Sequence, residues 1–262
     1  MLPAINNGQA NVHLSACLLL SAICLTTKRW WGASLFLLLG TAIKPLGLAA
    51  AGLAVIAFPE ILWPFMIGSL FLAFTPFLLG PAAYVKSQLI ASANHLRESA
   101  SVTENRFADL NGLLMAFGFP LKGILSTLVR AVAGLGFMLF VWNHRDLPDR
   151  CRALTWLAAS SVYLMIFNPM TEANSYVILA PIMGLMTWQL MEKGRKREAF
   201  CIVAMLLSMG LLPNAMHHWL GNAFALAWHP LMALFFAGMV VANLDQGISR
   251  TNTPAANTGA NC

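Results

Sequence analysis

The sequence predicts an all-α protein, a polytopic bundle of membrane helices, and three observations carry that expectation. Of its 262 residues, 58% are hydrophobic and only 10% are charged, with a mean hydropathy of +0.69; a soluble domain carries about 25% charged residues. The apolar residues gather into nine runs, several of them near the ~20 residues that a spanning helix needs. The basic residues fall in alternate connections between those runs.

The runs are 10–27, 31–43, 45–58, 60–79, 122–142, 151–167, 176–192, 199–212 and 222–242. The pair 31–43 and 45–58 is too short for two independent spans. It is expected either as short tilted helices meeting at Lys44-Pro45 or as a re-entrant pair buried against protein. Residues 80–121 form one longer connection, with Lys86, Arg97 and Arg106 balanced by Glu98, Glu104 and Asp109. Within it, 84–98 has the make-up of an amphipathic surface helix, or of a plain connector. Residues 1–250 are expected as a single transmembrane domain, and the polar tail 251–262 as disordered chain. The first residues lack the basic start of a secretory signal peptide.

Loop charge sets the expected orientation. Lys28-Arg29, the Arg145/Arg150/Arg152 connection and the cluster Lys193, Arg195, Lys196, Arg197 belong inside. Connections 168–175 and 213–221 contain no Lys or Arg and belong outside. Nine crossings then place residues 1–9, Lys44, 80–121, 168–175 and 213–221 on the outer side together. The net charge of +6, from 16 basic and 10 acidic residues, therefore reports loops facing anionic lipid rather than nucleic-acid binding. The five cysteines have no CxxC spacing, so neither a disulfide framework nor a metal site is expected.

Lys44 stands out within this pattern. A cation in an apolar stretch costs roughly 2.5–3.5 kcal/mol unless it meets an anion, water or the headgroup layer. It also directly precedes a proline, which ends or kinks a helix and frees backbone polar groups. Such a residue is either a functional site or a lysine snorkelling from a helix end. Two further polar clusters fall on the same expected side: Asn6-Asn7-Gly8-Gln9-Ala10-Asn11, and Asn168-Pro169-Met170-Thr171-Glu172-Ala173-Asn174-Ser175-Tyr176. Each also reads as ordinary capping and turn chemistry. Together they supply one fixed cation, several amides and a carboxylate, which suits a phosphate or a sugar beside a lipid.

At these residues the sequence resembles glycosyltransferase family 87, of the GT-C superfamily. Gly8-Gln9-Ala10-Asn11 before a leucine-rich run resembles the family's "GQ-x-N" element. Ile43-Lys44-Pro45 after an apolar run resembles its "KP" element, and Phe167 to Tyr176, continuing to Leu179-Ala180-Pro181, is similar to its late outer loop. The resemblance implies a multi-pass enzyme of the inner (plasma) membrane serving the cell envelope. It would move mannose, arabinofuranose or a related sugar from a polyprenyl-phosphate donor to a glycan or lipid acceptor, with no cofactor and no metal. It assigns the donor phosphate to Lys44. Gln9, Asn11, Asn168, Thr171, Glu172 and Asn174 would line the substrate cavity. Its partners would be membrane lipids, the donor and the acceptor, and no nucleic acid.

Two departures accompany the resemblance. Many members carry tryptophan and histidine in the late loop, where this chain has Glu172 and Asn174. The superfamily's catalytic acid lies in a first outer loop, and no acidic residue precedes Glu60 here. The catalytic residue is thus unassigned, and Glu104, Asp109 and Glu172 are the outward acids with plausible positions for it. Besides a transferase, whole or truncated at its start, the residues also fit a non-catalytic transporter or flippase component for polyprenyl-linked lipid, or an inactive fragment. His13 is expected as a hydrogen-bonded structural residue, and His217-His218 as part of an interfacial loop, two neighbours without a third ligand.

Overall fold

The computed structural model describes residues 10–101, 107–169 and 171–251. Asn6, Asn7 and Gln9, Glu104, Met170 and the tail from 252 onward lie outside the described residues. Among the described residues all regular structure is helical. Helices α1 (Ala10–Thr26), α2 (Trp30–Ile43) and α3 (Gly47–Ala57) come first. A 3₁₀ turn, Pro59–Ile61, leads into α4 (Leu62–Leu79), and α5 (Ala82–Ser101) and α6 (Leu110–Ala116) follow. Next are α7 (Gly123–Asn143), α8 (Asp149–Ile166), a 3₁₀ segment Ala173–Leu179, α9 (Ala180–Glu192) and α10 (Lys196–Thr251). The stretch expected as an amphipathic helix over 84–98 is helical within α5.

Pro59–Leu79, Gly123–Asn143 and Leu226–Leu244 are long and apolar enough to cross a membrane. Ala10–Thr26, Trp30–Ile43 and Gly47–Ala57 are apolar but shorter. The three remaining apolar runs of the sequence depart from uniform spans for identifiable reasons. Helix α8 opens on Asp149, Arg150 and Arg152. The run 176–192 starts as 3₁₀ backbone and becomes α-helix only at Ala180. The run 199–212 is the first part of α10, which breaks at Gly221, where φ is +72°. Arg195 bonds Asn243, and Trp228 Nε1 donates to Ser208 Oγ at 3.3 Å, so the two halves of α10 run antiparallel about that break.

Burial does not follow hydropathy. In the apolar windows of Pro59–Leu79 and Gly123–Asn143 only 11% and 6% of residues are buried against protein, which leaves those faces for lipid tails. The buried helix is α8, although it carries Thr155, Ser160 and Ser161. Its small residues Ala153, Ala158 and Ala159 let neighbours approach, and α3 presents Ala50, Ala51 and Ala54 in the same way. Close backbone approach of this kind drives helix association where lipid is as apolar as the side chains. Trp156 locks the α3–α8 contact: it is fully buried and its Nε1 donates to the Ala50 carbonyl at 2.9 Å.

The bundle has two chemically distinct ends. At one, Lys28 pairs with Asp149 at 3.2 Å, and Arg152 pairs with Asp149 while lying 4.0 Å over the Phe58 ring. Arg195 joins Glu198 there and reaches Asn243. The opposite end gathers the start of α1, the α2–α3 junction and residues 107–109 and 171–176. His13, expected as a hydrogen-bonded structural residue, is exposed on α1.

Replacing Trp156 with Ala should destabilise the bundle by about 3–5 kcal/mol, and Trp156→Phe by about 1–3 kcal/mol through the lost hydrogen bond to Ala50 and the smaller ring. Thermal unfolding in detergent checks the order of the two. In a cysteine-free background, a cysteine at Asn174 should react with an impermeant maleimide from the side opposite to one at Lys196. Labelling of both from one side would contradict the two-ended arrangement.

Candidate functional site

The site is built on the break that follows α2. Proline disfavours helical backbone in the residue before it, and Lys44 is extended, with φ −147° and ψ 116°. Its N–H still caps the helix by donating to the Gly40 carbonyl at 2.9 Å. The chain then turns tightly, Gly47 N–H donating to the Lys44 carbonyl at 2.9 Å. Only glycine fits at 47: a Cβ there would come 2.8 Å from the Thr41 backbone nitrogen. The half-buried Lys44 side chain is thereby fixed at a helix break rather than trailing from a helix end.

Asn11 receives it. Lys44 Nζ donates to Asn11 Oδ1 at 2.7 Å, and because an ammonium offers only donors, the amide oxygen must face it. That leaves the amide nitrogen, and Asn11 Nδ2 donates to Ser175 Oγ at 2.9 Å. Ser15, one turn along α1, donates to the Val177 carbonyl at 3.4 Å. Asn11 and Ser175 are both buried, so α1, the α2–α3 break and the segment after Glu172 are stitched together by satisfied polar groups.

The structure separates the other expected cavity residues. Thr171 is fully buried, and it closes its own turn: its Oγ1 donates to the Asn168 carbonyl at 3.0 Å and accepts from Asn168 Nδ2 at 3.2 Å. Asn168 and Thr171 therefore shape the turn. Glu172 is exposed on the same turn. Asn174 is half-buried in the first turn of Ala173–Leu179.

Residues 107–116 pack beside this turn. Ala108 N–H donates to the Thr171 carbonyl at 2.8 Å, and Tyr176 Oη donates to the Ala108 carbonyl at 2.8 Å. Asp109 caps α6 by accepting from Gly112 N–H at 2.8 Å, with Arg130 of α7 at 3.7 Å. Burial pushes the Asp109 carboxyl above its ordinary value, against the opposing pull of the Gly112 N–H and the Arg130 charge. His229 of α10 completes the wall, its ring centroid 5.0 Å from that of Tyr176. Ser175, Arg130 and His229 were not singled out from sequence. Arg130, a charge inside the apolar run 122–142, gives the same signal that marked Lys44.

A cleft of about 310 Å³, lined only by apolar residues, lies between α7, α8 and α10. Phe137, Phe140, Ala158, Val162 and Val240 line it, and Phe167, the residue before Asn168, lies at one end of the α8 wall. Among the described residues, no group of three or more His, Cys, Asp or Glu side chains is placed to hold a metal ion.

Asp109→Ala should lower stability by about 1–2 kcal/mol through the lost cap, whereas Asp109→Asn, which keeps an acceptor for Gly112, should lose less. Thermal unfolding of the two variants decides whether the cap or the charge matters more.

The chain matches no curated protein and no solved structure. The sequence profile of glycosyltransferase family 87 matches residues 1–169, more than half of the 262, including Asn11, Lys44, Asp109 and Asn168. The chain belongs to glycosyltransferase family 87.

Proposed function

We propose that this protein is a multi-pass glycosyltransferase of GT-C type in the inner (plasma) membrane. It transfers a hexosyl or pentosyl unit from a polyprenyl-phosphate-linked donor to a glycan or lipid acceptor at the outer face. The observation that carries this reading is the ammonium of Lys44, held by Asn11 at a helix break on the end of the bundle opposite the basic cluster. By the positive-inside rule the basic end faces the cytoplasm, which puts Lys44 outside. A lysine is a compact point charge suited to a phosphate, and only one of its three donors is taken by Asn11.

Membership of a glycosyltransferase family makes sugar transfer the chemistry to expect. The apolar cleft beside Phe167 supports a lipid-linked donor, since isoprenoid units could enter it directly from the membrane. Asn11 and Ser175 hold the cation in place. Glu172 and Asn174 face the sugar or acceptor side, with Asn168 and Thr171 shaping the turn that presents them. Gln9 is proposed as a further contact.

Lys44→Ala should cut sugar transfer from a polyprenyl-phosphoryl donor by at least about 10²-fold, with the variant still inserted and monodisperse in detergent. Lys44→Arg should retain part of the activity. Near-normal turnover of Lys44→Ala removes Lys44 from the donor site.

A further inference from the structure

The basic end of the bundle carries a cavity that sugar transfer does not use, a crevice of about 50 Å³ between α8, α9 and α10. Its lining changes character with depth. At the mouth are Lys193, just past the end of α9, and Asn243 of α10, with Gln189 one turn further in. Lys193 opens the turn that also carries Arg195, Lys196 and Arg197, and Arg195 bonds Asn243. Deeper, the lining is Met186 and Ile182 of α9, Val240 of α10 and Ala158 of α8, all apolar. Ala158 and Val240 also line the 310 Å³ apolar cleft, so the two spaces adjoin. On α8, one turn before Ala158, is Thr155. It is 3% exposed, lines the crevice, and its hydroxyl has no hydrogen-bond partner among the described residues. Buried hydroxyls are nearly always paired. The other unpaired hydroxyls of α8, on Ser160 and Ser161, line neither space.

A cation, then a spare hydroxyl donor, then apolar walls repeat the order of groups along a phospholipid: phosphate, ester carbonyl, acyl chain. Basic pockets between membrane helices on the cytoplasmic side hold anionic headgroups. We propose that this crevice binds one anionic glycerophospholipid from the leaflet at the basic end. The Lys193 ammonium meets its phosphate, and Thr155 Oγ1 donates to an ester carbonyl. One acyl chain then runs past Met186, Ile182 and Val240 toward the apolar cleft. The binding is separate from sugar transfer and is read without any sugar donor.

The test is native mass spectrometry of the full chain, delipidated in detergent and titrated with dioleoylphosphatidylglycerol or dioleoylphosphatidylcholine. One phosphatidylglycerol should bind at least about fivefold more tightly than phosphatidylcholine. Lys193→Gln should remove that preference, and Lys193→Arg should keep it. Thr155→Val, nearly equal in shape, should weaken binding of both lipids about two- to tenfold. Leu244→Trp, which fills the crevice from a half-buried position in its lining, should abolish the bound lipid. Lys196→Gln, in the same turn but outside the lining, should behave as wild type. Equal affinity for the two lipids overturns the site, as does unchanged binding in both Thr155→Val and Leu244→Trp. Equal losses in Lys193→Gln and Lys196→Gln also overturn it, leaving surface attraction alone.

Discussion

Lys44 is a cation at a break between two helices in an apolar bundle, and the hydrogen bond from its ammonium to Asn11 organises everything around it. A charge in such a place needs a polar partner, and the partner is an amide rather than an acid. That choice matters physically. A carboxylate at Asn11 would neutralise the ammonium, whereas an amide oxygen fixes its position and leaves its charge to act on a ligand. The other half of the same amide is taken by Ser175, so the cation's position is tied to the turn at 168–175.

The packing follows the logic of a lipid solvent. The most apolar long helices, α4 and α7, are the least covered by protein, while α8, with its serines, threonine and N-terminal charges, is the core. Apolar side chains gain little by leaving lipid for protein. What helices gain by meeting is close contact through small residues, as in the alanine faces of α3 and α8, with the Trp156–Ala50 hydrogen bond beside it, while the buried hydroxyls of Thr155, Ser160 and Ser161 have no hydrogen-bond partner among the described residues. The same rule explains the basic end, where Arg152 combines an ion pair with Asp149 and a face-on contact with Phe58.

Asp109 and Glu172 show how one residue type divides between roles according to surroundings. Asp109 is enclosed by a helix N-terminus and an arginine and holds residues 107–116 beside the site. Glu172 is exposed on the adjoining turn, where its carbonyl accepts from Ser175 N–H. The enclosed acid supports the wall beside the turn that carries the exposed one.

The sequence by itself determined the helical membrane class, the family through Asn11 and Ile43-Lys44-Pro45, and the break at Lys44, because composition, proline and charge act locally and need no partner to be read. Its charge pattern led the polar clusters to be expected on a common side, and Asn11, Lys44 and Ser175 do meet. Only the tertiary structure decided which of those residues meet. Asn11 finds Ser175, 164 positions away, a pairing that no periodicity encodes. Thr171, as polar in sequence as its neighbours, is fully buried in its own turn. Which helix is core and which faces lipid was likewise illegible, because hydropathy measures transfer out of water, and in a bilayer the choice between lipid and protein rests on shape and on the hydrogen bonds a neighbour can complete.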